Sequence, residues 1–327
     1  MKRVSILVPE LSVMQTIADP QQLFTAVNQY LIDAGKRPLF TVELVGLKKE
    51  VRINNEKFSV RPDKLLNEVK KTDLIFIPAL TGDMSIAIKK NEAFVPWIVQ
   101  QYHKGAEVAS LCVGAFLLAS TGLLNGKKCS THWAIQNEFR EMYPEVELVE
   151  GSIVTEEKRI YSSGGSYSYW NLLLYLLEKY VSREIAILAS KIFAIDINRN
   201  SQSVFFMFKG QKNHEDKQIL NTQEYIEKNI HEKISIDDLT RISTIGRRTF
   251  ERRFKQATNN SVLEYIQRVK IEAAKRQFET SGKNINEVMY EVGYADIKAF
   301  RDLFKKIAGV TPIEYRHKYN KMTLGAV

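Results

Sequence analysis

Two stretches of this chain carry side chains whose types and spacing could do chemistry. In the first, Cys112 stands in Val108-Ala109-Ser110-Leu111-Cys112-Val113-Gly114-Ala115-Phe116, where an apolar strand pattern runs directly into a helical one. Ser110 and Gly114 flank it two positions away on each side, the small neighbours that a sharp strand-to-helix turn presenting a nucleophile requires. At such a join the thiol meets the N–H groups of a helix N-terminus, which favour thiolate. The competing reading is simpler: a cysteine closing a strand is a small buried apolar residue.

The second stretch is basic, helical and repeated at an offset of 50 residues: Phe250, Phe254, Lys255 and Tyr265 recur as Phe300, Phe304, Lys305 and Tyr315, with Leu239 and Ile242 recurring as Met289 and Val292. In the first copy, Ser235 caps a helix over Ile236–Ile242 with Asp237 and Asp238 in its first turn. A turn near Ser243–Gly246 leads to a helix opened by Arg247. Phe250 and Phe254, four apart, must face a core, which leaves Arg248, Glu251, Arg252 and Lys255 outside. In the second copy, a helix over Ile285–Val292 passes through Gly293-Tyr294-Ala295. Phe300 and Phe304 then turn inward, and Ile297, Lys298, Arg301, Asp302 and Lys305 face out. A major groove admits one helix, whose outer side chains read base edges while flanking Arg and Lys hold phosphates. A helical packing domain without nucleic acid would show the same repeat but has no need of the basic outer faces.

These stretches must be positioned by two different kinds of structure. The chain has 327 residues, 44% of them hydrophobic, enough for two domains with their own cores. Its 47 Lys and Arg exceed 38 Asp and Glu, a net of +9. From Gln218 onward the balance is 20 to 14, so two-thirds of the excess lies in the last third, which suggests a polyanion partner for that part, although a basic surface can also be merely a solubilising one. Two cysteines make no disulfide framework, and five scattered histidines show no metal spacing. With no signal-peptide core and no membrane span in the sequence, the expectation is a cytoplasmic protein with reduced thiols, no cofactor and no structural metal.

Over residues 1–190 short β-branched runs alternate with helical patterns. Strands are expected at 4–8, 40–47, 74–77, 108–111, 146–149 and 160–162, and helices at 21–34, 63–69, 86–103, 114–121, 167–180 and 182–193. That alternation implies a flavodoxin-like three-layer α/β domain with a parallel sheet covered on both faces. Residues 191–217 read as a linker, with the Val204-Phe205-Phe206-Met207-Phe208 cluster packed on a neighbouring domain. From 218 to 327 the pattern is all helical, with two helix-turn-helix units.

Gln218–Tyr319 closely resembles the DNA-binding domain of the AraC/XylS regulators. The match rests on 247–255, on the helix from Tyr265 to Ala274, on Val292-Gly293-Tyr294, and on Gly309-Val310-Thr311-Pro312 with Glu314-Tyr315-Arg316. The resemblance implies seven helices and two recognition helices entering successive major-groove segments on one face of double-stranded DNA. One departure is Ile245-Gly246, where that family usually has Ser-Pro. Residues 1–180 resemble the PfpI/ThiJ branch of the glutamine-amidotransferase-like superfamily, through 108–119, Gly122-Leu123-Leu124-Asn125-Gly126, Ser130–Trp133 and Ser162-Ser163-Gly164-Gly165. Together the two halves resemble the GlxA-like transcription regulators.

In that superfamily the elbow cysteine works with an acid near the first strand and often a histidine. The acid's place falls on Thr16, four residues before Pro20, and the acidic position in the last helix reads as Asn171. Pro78-Ala79-Leu80-Thr81-Gly82-Asp83 lacks the Gly-Gly that presents oxyanion donors. Cys112 and His132 therefore stand as vestigial candidates; Glu10 or Asp19 could replace the missing acid. The expectation is a homodimeric, non-catalytic sensor-regulator. Its small effector would be bound by Thr16, Leu80, Gly82, Cys112, Val113 and His132. A residual Cys112-dependent hydrolase or amidase is the alternative, and a constitutive DNA binder the third reading.

Overall fold

The structure, a computed structural model, describes residues 1–197 and 201–320. It falls into two compact units, Met1–Gln202 and Ser203 onward.

The strands of the first unit are β1 (Lys2–Val8), β2 (Phe40–Gly46), a hairpin of β3 (Val51–Ile53) and β4 (Phe58–Val60), β5 (Lys64–Leu65), β6 (Leu74–Ile77) and β7 (Glu107–Ser110), followed by β8 (Lys128–Cys129), β9 (Glu147–Leu148), β10 (Val154–Glu157) and β11 (Ile160–Ser163). The main sheet runs β10-β11-β7-β6-β1-β2-β5, parallel throughout except for β10 at one edge. Side chains alternate across it with period two. Val4, Ile6, Val8, Leu74 and Phe76 enter one apolar layer, with α1 (Gln15–Asp33), α6 (Tyr169–Tyr180) and α7 (Arg183–Ile192). Leu7, Ile75 and Ile77 enter the other, beneath α2 (Met84–Lys90), α3 (Phe94–His103), α4 (Ala115–Ala119) and α5 (Gln136–Met142). This is the expected three-layer α/β architecture.

Local differences from the expected elements have tertiary causes. The single helix expected over 86–103 is broken at Asn91. That buried amide donates to the carbonyls of Ala87 and Glu10 and accepts from the Glu10 N–H, each at 2.9 Å, tying the break to the loop after β1. The helix expected at 63–69 is instead β5 and one 3-10 turn. Asp63 exchanges hydrogen bonds with Leu44 of β2 and so draws the segment onto the sheet. The β3–β4 hairpin, turned by left-handed Asn54, Asn55 and Glu56, and the edge strand β10 had no expected counterpart.

Of residues 191–217, expected to form a linker, 198–200 lie outside the described residues. Gln202 is buried in the first unit, and Val204 and Phe208 are buried in the second.

The second unit is helical: α8 (Lys217–Lys228), α9 (Ile236–Ser243), α10 (Arg247–Thr258), α11 (Val262–Thr280), α12 (Ile285–Glu291), α13 (Ile297–Ala308) and α14 (Pro312–Tyr319). The 50-residue repeat holds in three dimensions. α10 ends on left-handed Asn259 and α13 on left-handed Gly309, each returning its N–H to the lysine four residues back. Capping boxes Ser261/Glu264 and Thr311/Glu314 then open α11 and α14. Phe254 meets Tyr265 edge-on at 5.3 Å, as Phe304 meets Tyr315 at 5.6 Å. The repeat makes two cores, one around Phe250, Phe254 and Tyr265, the other around Phe300, Phe304 and Tyr315. α11 contributes to both, through Tyr265 and Ile266 and then through Ile271, Ala274 and Phe278.

Truncating one repeat should therefore be felt locally first. Phe304→Ala removes a fully buried ring and should cost about 3–5 kcal/mol. Amide hydrogen exchange should rise in α12–α14 before α8–α10; equal loss of protection in both halves would contradict two separate cores.

Candidate functional site

Cys112 sits where β7 turns into the helix that follows, with φ of +54°, a left-handed conformation that a non-glycine residue adopts only under local constraint. The constraint is visible in its contacts. Its N–H donates to Ser163 Oγ at 3.0 Å, and Thr131 Oγ1 donates to its carbonyl at 3.1 Å. Two residues on, a Cβ at Gly114 would lie 2.5 Å from the carbonyl oxygens of both Ile77 and Pro78. Gly114 is thus needed for the turn to pass the end of β6, and the sharp elbow read from the sequence is present.

The electrostatics differ from the expected thiolate. Cys112 is 5% exposed, and burial pushes its thiol up to about 11 although backbone N–H groups of Ser166 and Val113 pull it down. Desolvation outweighs the helix N-terminus, so the thiol keeps its proton at neutral pH. His132 is engaged elsewhere: Nδ1 accepts from the Ala134 N–H at 3.0 Å and Nε2 lies 3.3 Å from Ser166 Oγ. Because Nδ1 accepts, the proton belongs on Nε2, and burial lowers the ring's pKa and keeps it neutral.

The remaining expected residues are placed as follows. Thr16 is buried; its hydroxyl donates to the Val13 carbonyl at 2.7 Å and accepts from the Ala79 N–H at 3.0 Å, lacing the loops after β1 and β6 together. Leu80 is buried in the apolar layer beneath α2 and α3, whereas Gly82 is exposed with φ of +84°. Val113 is half-buried beside Cys112. Of the two alternative acids, Glu10 pairs with Lys48. Asp19 accepts from Tyr169 Oη at 2.5 Å and Trp170 Nε1 at 2.9 Å. Asn171 donates to the Asp196 carbonyl.

Sequence reasoning missed Ser163, Ser166 and above all Gln202. Gln202 is buried and donates to the carbonyls of Thr131 and Ser152 at 3.0 Å, while its Oε1 accepts from the Gly165 N–H at 2.8 Å. Gly164 and Gly165 have no room for a Cβ, because Gln202 and the His132 ring occupy that space. The glycine pair was the available signal, but its partner lies 37 residues on in a stretch without periodicity.

In the second unit the outer faces are as the spacing dictates. Arg248, Arg252 and Lys255 of α10 and Lys298, Arg301, Asp302 and Lys305 of α13 are exposed. Glu251 and Ile297 are half-buried, and Arg247 is held by Asp237 and Glu251. Among the described residues, Arg248, Arg252, Lys298 and Arg301 have no acidic partner. Arg253, by contrast, is turned inward onto Asp216 through two hydrogen bonds at 2.9 and 2.7 Å. Gly246, where the related proteins usually have proline, sits at the N-cap of α10 without a side-chain cap, whereas Asp296 caps α13 by accepting from Lys298 and Ala299.

This is a two-part molecule, an α/β fold with a cysteine elbow and a helical unit with two helix-turn-helix copies. Residues 28–179 match the DJ-1/PfpI family and residues 239–318 match a helix-turn-helix domain. The chain thus joins a DJ-1/PfpI domain to an AraC-type helix-turn-helix domain, the pairing expected from its resemblance to GlxA-like regulators. The HTH-type transcriptional regulator CdhR of Pseudomonas aeruginosa is 22% identical over 316 residues, 95% of this chain and 90% of the relative. The HTH-type transcriptional regulator GbdR of the same species is 23% identical over 263 residues, 80% of this chain and 71% of the relative. A crystal structure of a putative transcriptional regulator protein from Vibrio parahaemolyticus shares the fold of the first part. It is 22% identical with a TM-score of 0.52, covering 58% of this chain and 98% of its own. Among the described residues no helix is long and apolar enough to cross a membrane.

The state of Cys112 is open to direct measurement. Alkylation by iodoacetamide, followed at Cys112 by peptide mass spectrometry, should be slow at pH 8 and rise about tenfold per pH unit toward 11 as thiolate forms. A folded thiol raised from 9 to about 11 also binds its proton more tightly than the unfolded one, so its contribution to stability is lost as pH climbs through that window. A rate already at its plateau at pH 8 would contradict a protonated thiol.

Proposed function

We propose that the protein is a sequence-specific DNA-binding transcription regulator whose first domain senses a small ligand and does not turn one over. The observation that carries the DNA-binding reading is the repeated basic face. Arg248 and Arg252 on α10, and Lys298 and Arg301 on α13, stand exposed without acidic partners among the described residues, each on the second helix of a helix-turn-helix. Cations left free in this way are available to phosphates and base edges. The relatives named as transcriptional regulators support it.

The sensing reading rests on what Cys112 lacks. Its thiol is protonated, the nitrogens of His132 are directed at Ala134 and Ser166, and Thr16 occupies the acid's place with its hydroxyl spent on the backbone. Among the described residues no general base is poised to activate a nucleophile there. The ligand's place is the carboxyl end of the sheet around Cys112, Val113 and His132, where parallel α/β sheets accept ligands. The protein acts in the cytoplasm as a homodimer, so that two DNA-binding domains engage two half-sites.

A duplex selected in vitro from random sequence by the full-length chain provides the test. Arg252→Ala should weaken binding to it by about 1–3 kcal/mol where the contact is to a base. If it is to phosphate, loss should be uniform across sequences, with the salt slope reduced by about one. Unchanged affinity for Ala at each of Arg248, Arg252, Lys298 and Arg301 would overturn the assigned face.

A further inference from the structure

We infer that residues 203–211, together with a buried Glu272–Lys275 pair on α11, form a brace that fixes the two helix-turn-helix copies relative to each other. The segment would otherwise be read as the tether into the DNA-binding unit. Its side chains enter both cores. Val204 is buried with Phe300, Phe304 and Tyr315, and Phe205 packs against the same core with Lys318 Nζ 4.8 Å from its ring centre. Three residues after Phe205, Phe208 is buried in the other core, edge-on to Tyr265 at 5.2 Å. The chain thus crosses the second copy before it enters the first.

Between those anchors the backbone is clamped by charge. Lys275 is 3% exposed and Glu272 9%. Burying an ammonium and a carboxylate is costly unless both are paired and hydrogen-bonded. Lys275 Nζ meets Glu272 Oε2 at 3.1 Å and donates to the Phe206 carbonyl; the same Glu272 oxygen accepts from the Phe208 N–H at 3.1 Å. Both charges are therefore satisfied by the backbone of the brace itself. Downstream, the Gln211 carbonyl accepts from Gln223 Nε2 at 2.8 Å and its side chain accepts from Asn260 Nδ2 at 3.0 Å. Gly210 has φ of +69°, and a Cβ there would lie 2.5 Å from Tyr265 Oη.

The geometry matters because the two cores are separate and α11 is the helix common to both. Besides α11, the His231 carbonyl of the first copy packs close against Gly293 of the second, where a Cβ would lie 2.7 Å from it; the 203–211 segment adds a connection anchored in both cores, which further restricts bending and twisting between the α10 and α13 ends. Glu272 and Lys275 are thereby positioning residues for recognition, acting through the spacing of α10 and α13. The consequence for DNA rests on the function proposed above, whereas the rigidity itself does not.

The experiment uses the full-length chain with spin labels carried by unnatural amino acids at exposed Asn221 and Lys306, leaving both cysteines untouched. The wild-type chain without DNA should give one narrow distance distribution by pulsed electron resonance. Lys275→Met, which removes the clamp, and Gly210→Ala, which must shift the segment off Tyr265 without removing any core side chain, should each broaden it. If Lys275→Met fails to fold, Gly210→Ala decides. Narrow distributions in the folded variants, with helical content by circular dichroism at the wild-type level, would overturn the brace. On the selected duplex, Gly210→Ala should lose about tenfold in affinity, or 1.4 kcal/mol. It should also tolerate one inserted base pair between the two contacted segments better than the wild type. If the wild-type chain binds no DNA, the function proposed above fails while the distance measurement still decides the brace.

Discussion

At Gly114 the backbone leaving β7 passes the end of β6 so closely that a single methyl group would collide with the carbonyl oxygens of Ile77 and Pro78. Much of the first domain's site geometry follows from this approach. It forces the chain into a sharp turn, holds Cys112 in a left-handed conformation, and leaves its N–H to be taken by Ser163 of β11 and its carbonyl by Thr131. Those two contacts fix the carboxyl ends of β7 and β11 and the loop carrying His132 as one piece, which Gln202 closes through Gly165 and Thr131. The elbow persists as architecture. Its surroundings bury the thiol, which burial pushes up to about 11, and engage the imidazole with Ala134 and Ser166.

The second domain meets a different constraint. Each helix-turn-helix copy is small, and neither can bury the apolar faces of its helices without α11. One amphipathic helix serving two cores presents apolar residues on more than one side, and it also carries two buried lysines. Lys270 donates to the Glu232 carbonyl at 2.8 Å from beside Tyr294, and Lys275 serves the 206–208 segment. In both cases an ammonium is tolerated inside because it has a backbone oxygen to meet. Burial lowers the pKa of Lys270 for the same physical reason that it raises that of Cys112: low dielectric disfavours the charged form.

What could be read from the amino-acid order alone was whatever depends on short-range periodicity. The strands follow from short β-branched runs and their parallel pairing from alternation with helical patterns, and the two basic helices with their inward phenylalanines follow from spacings of three and four; all of these act within short stretches of the chain. The fifty-residue repeat announced two equivalent cores, and Ser110, Cys112 and Gly114 announced a tight turn, because small side chains are demanded by local crowding. The sites that sequence could not resolve are those where the deciding partner lies far along the chain. The break at Asn91 depends on Glu10, the replacement of a helix over 63–69 by β5 and a 3-10 turn depends on Leu44, and the closure around His132 depends on Gln202. The ionisation of Cys112 was set by burial, which is a property of everything packed around it, and the N-terminal position of a helix could not reveal it. Likewise the 203–211 segment shows no period, since its conformation is dictated by two pre-existing cores and a buried ion pair rather than by its own propensity.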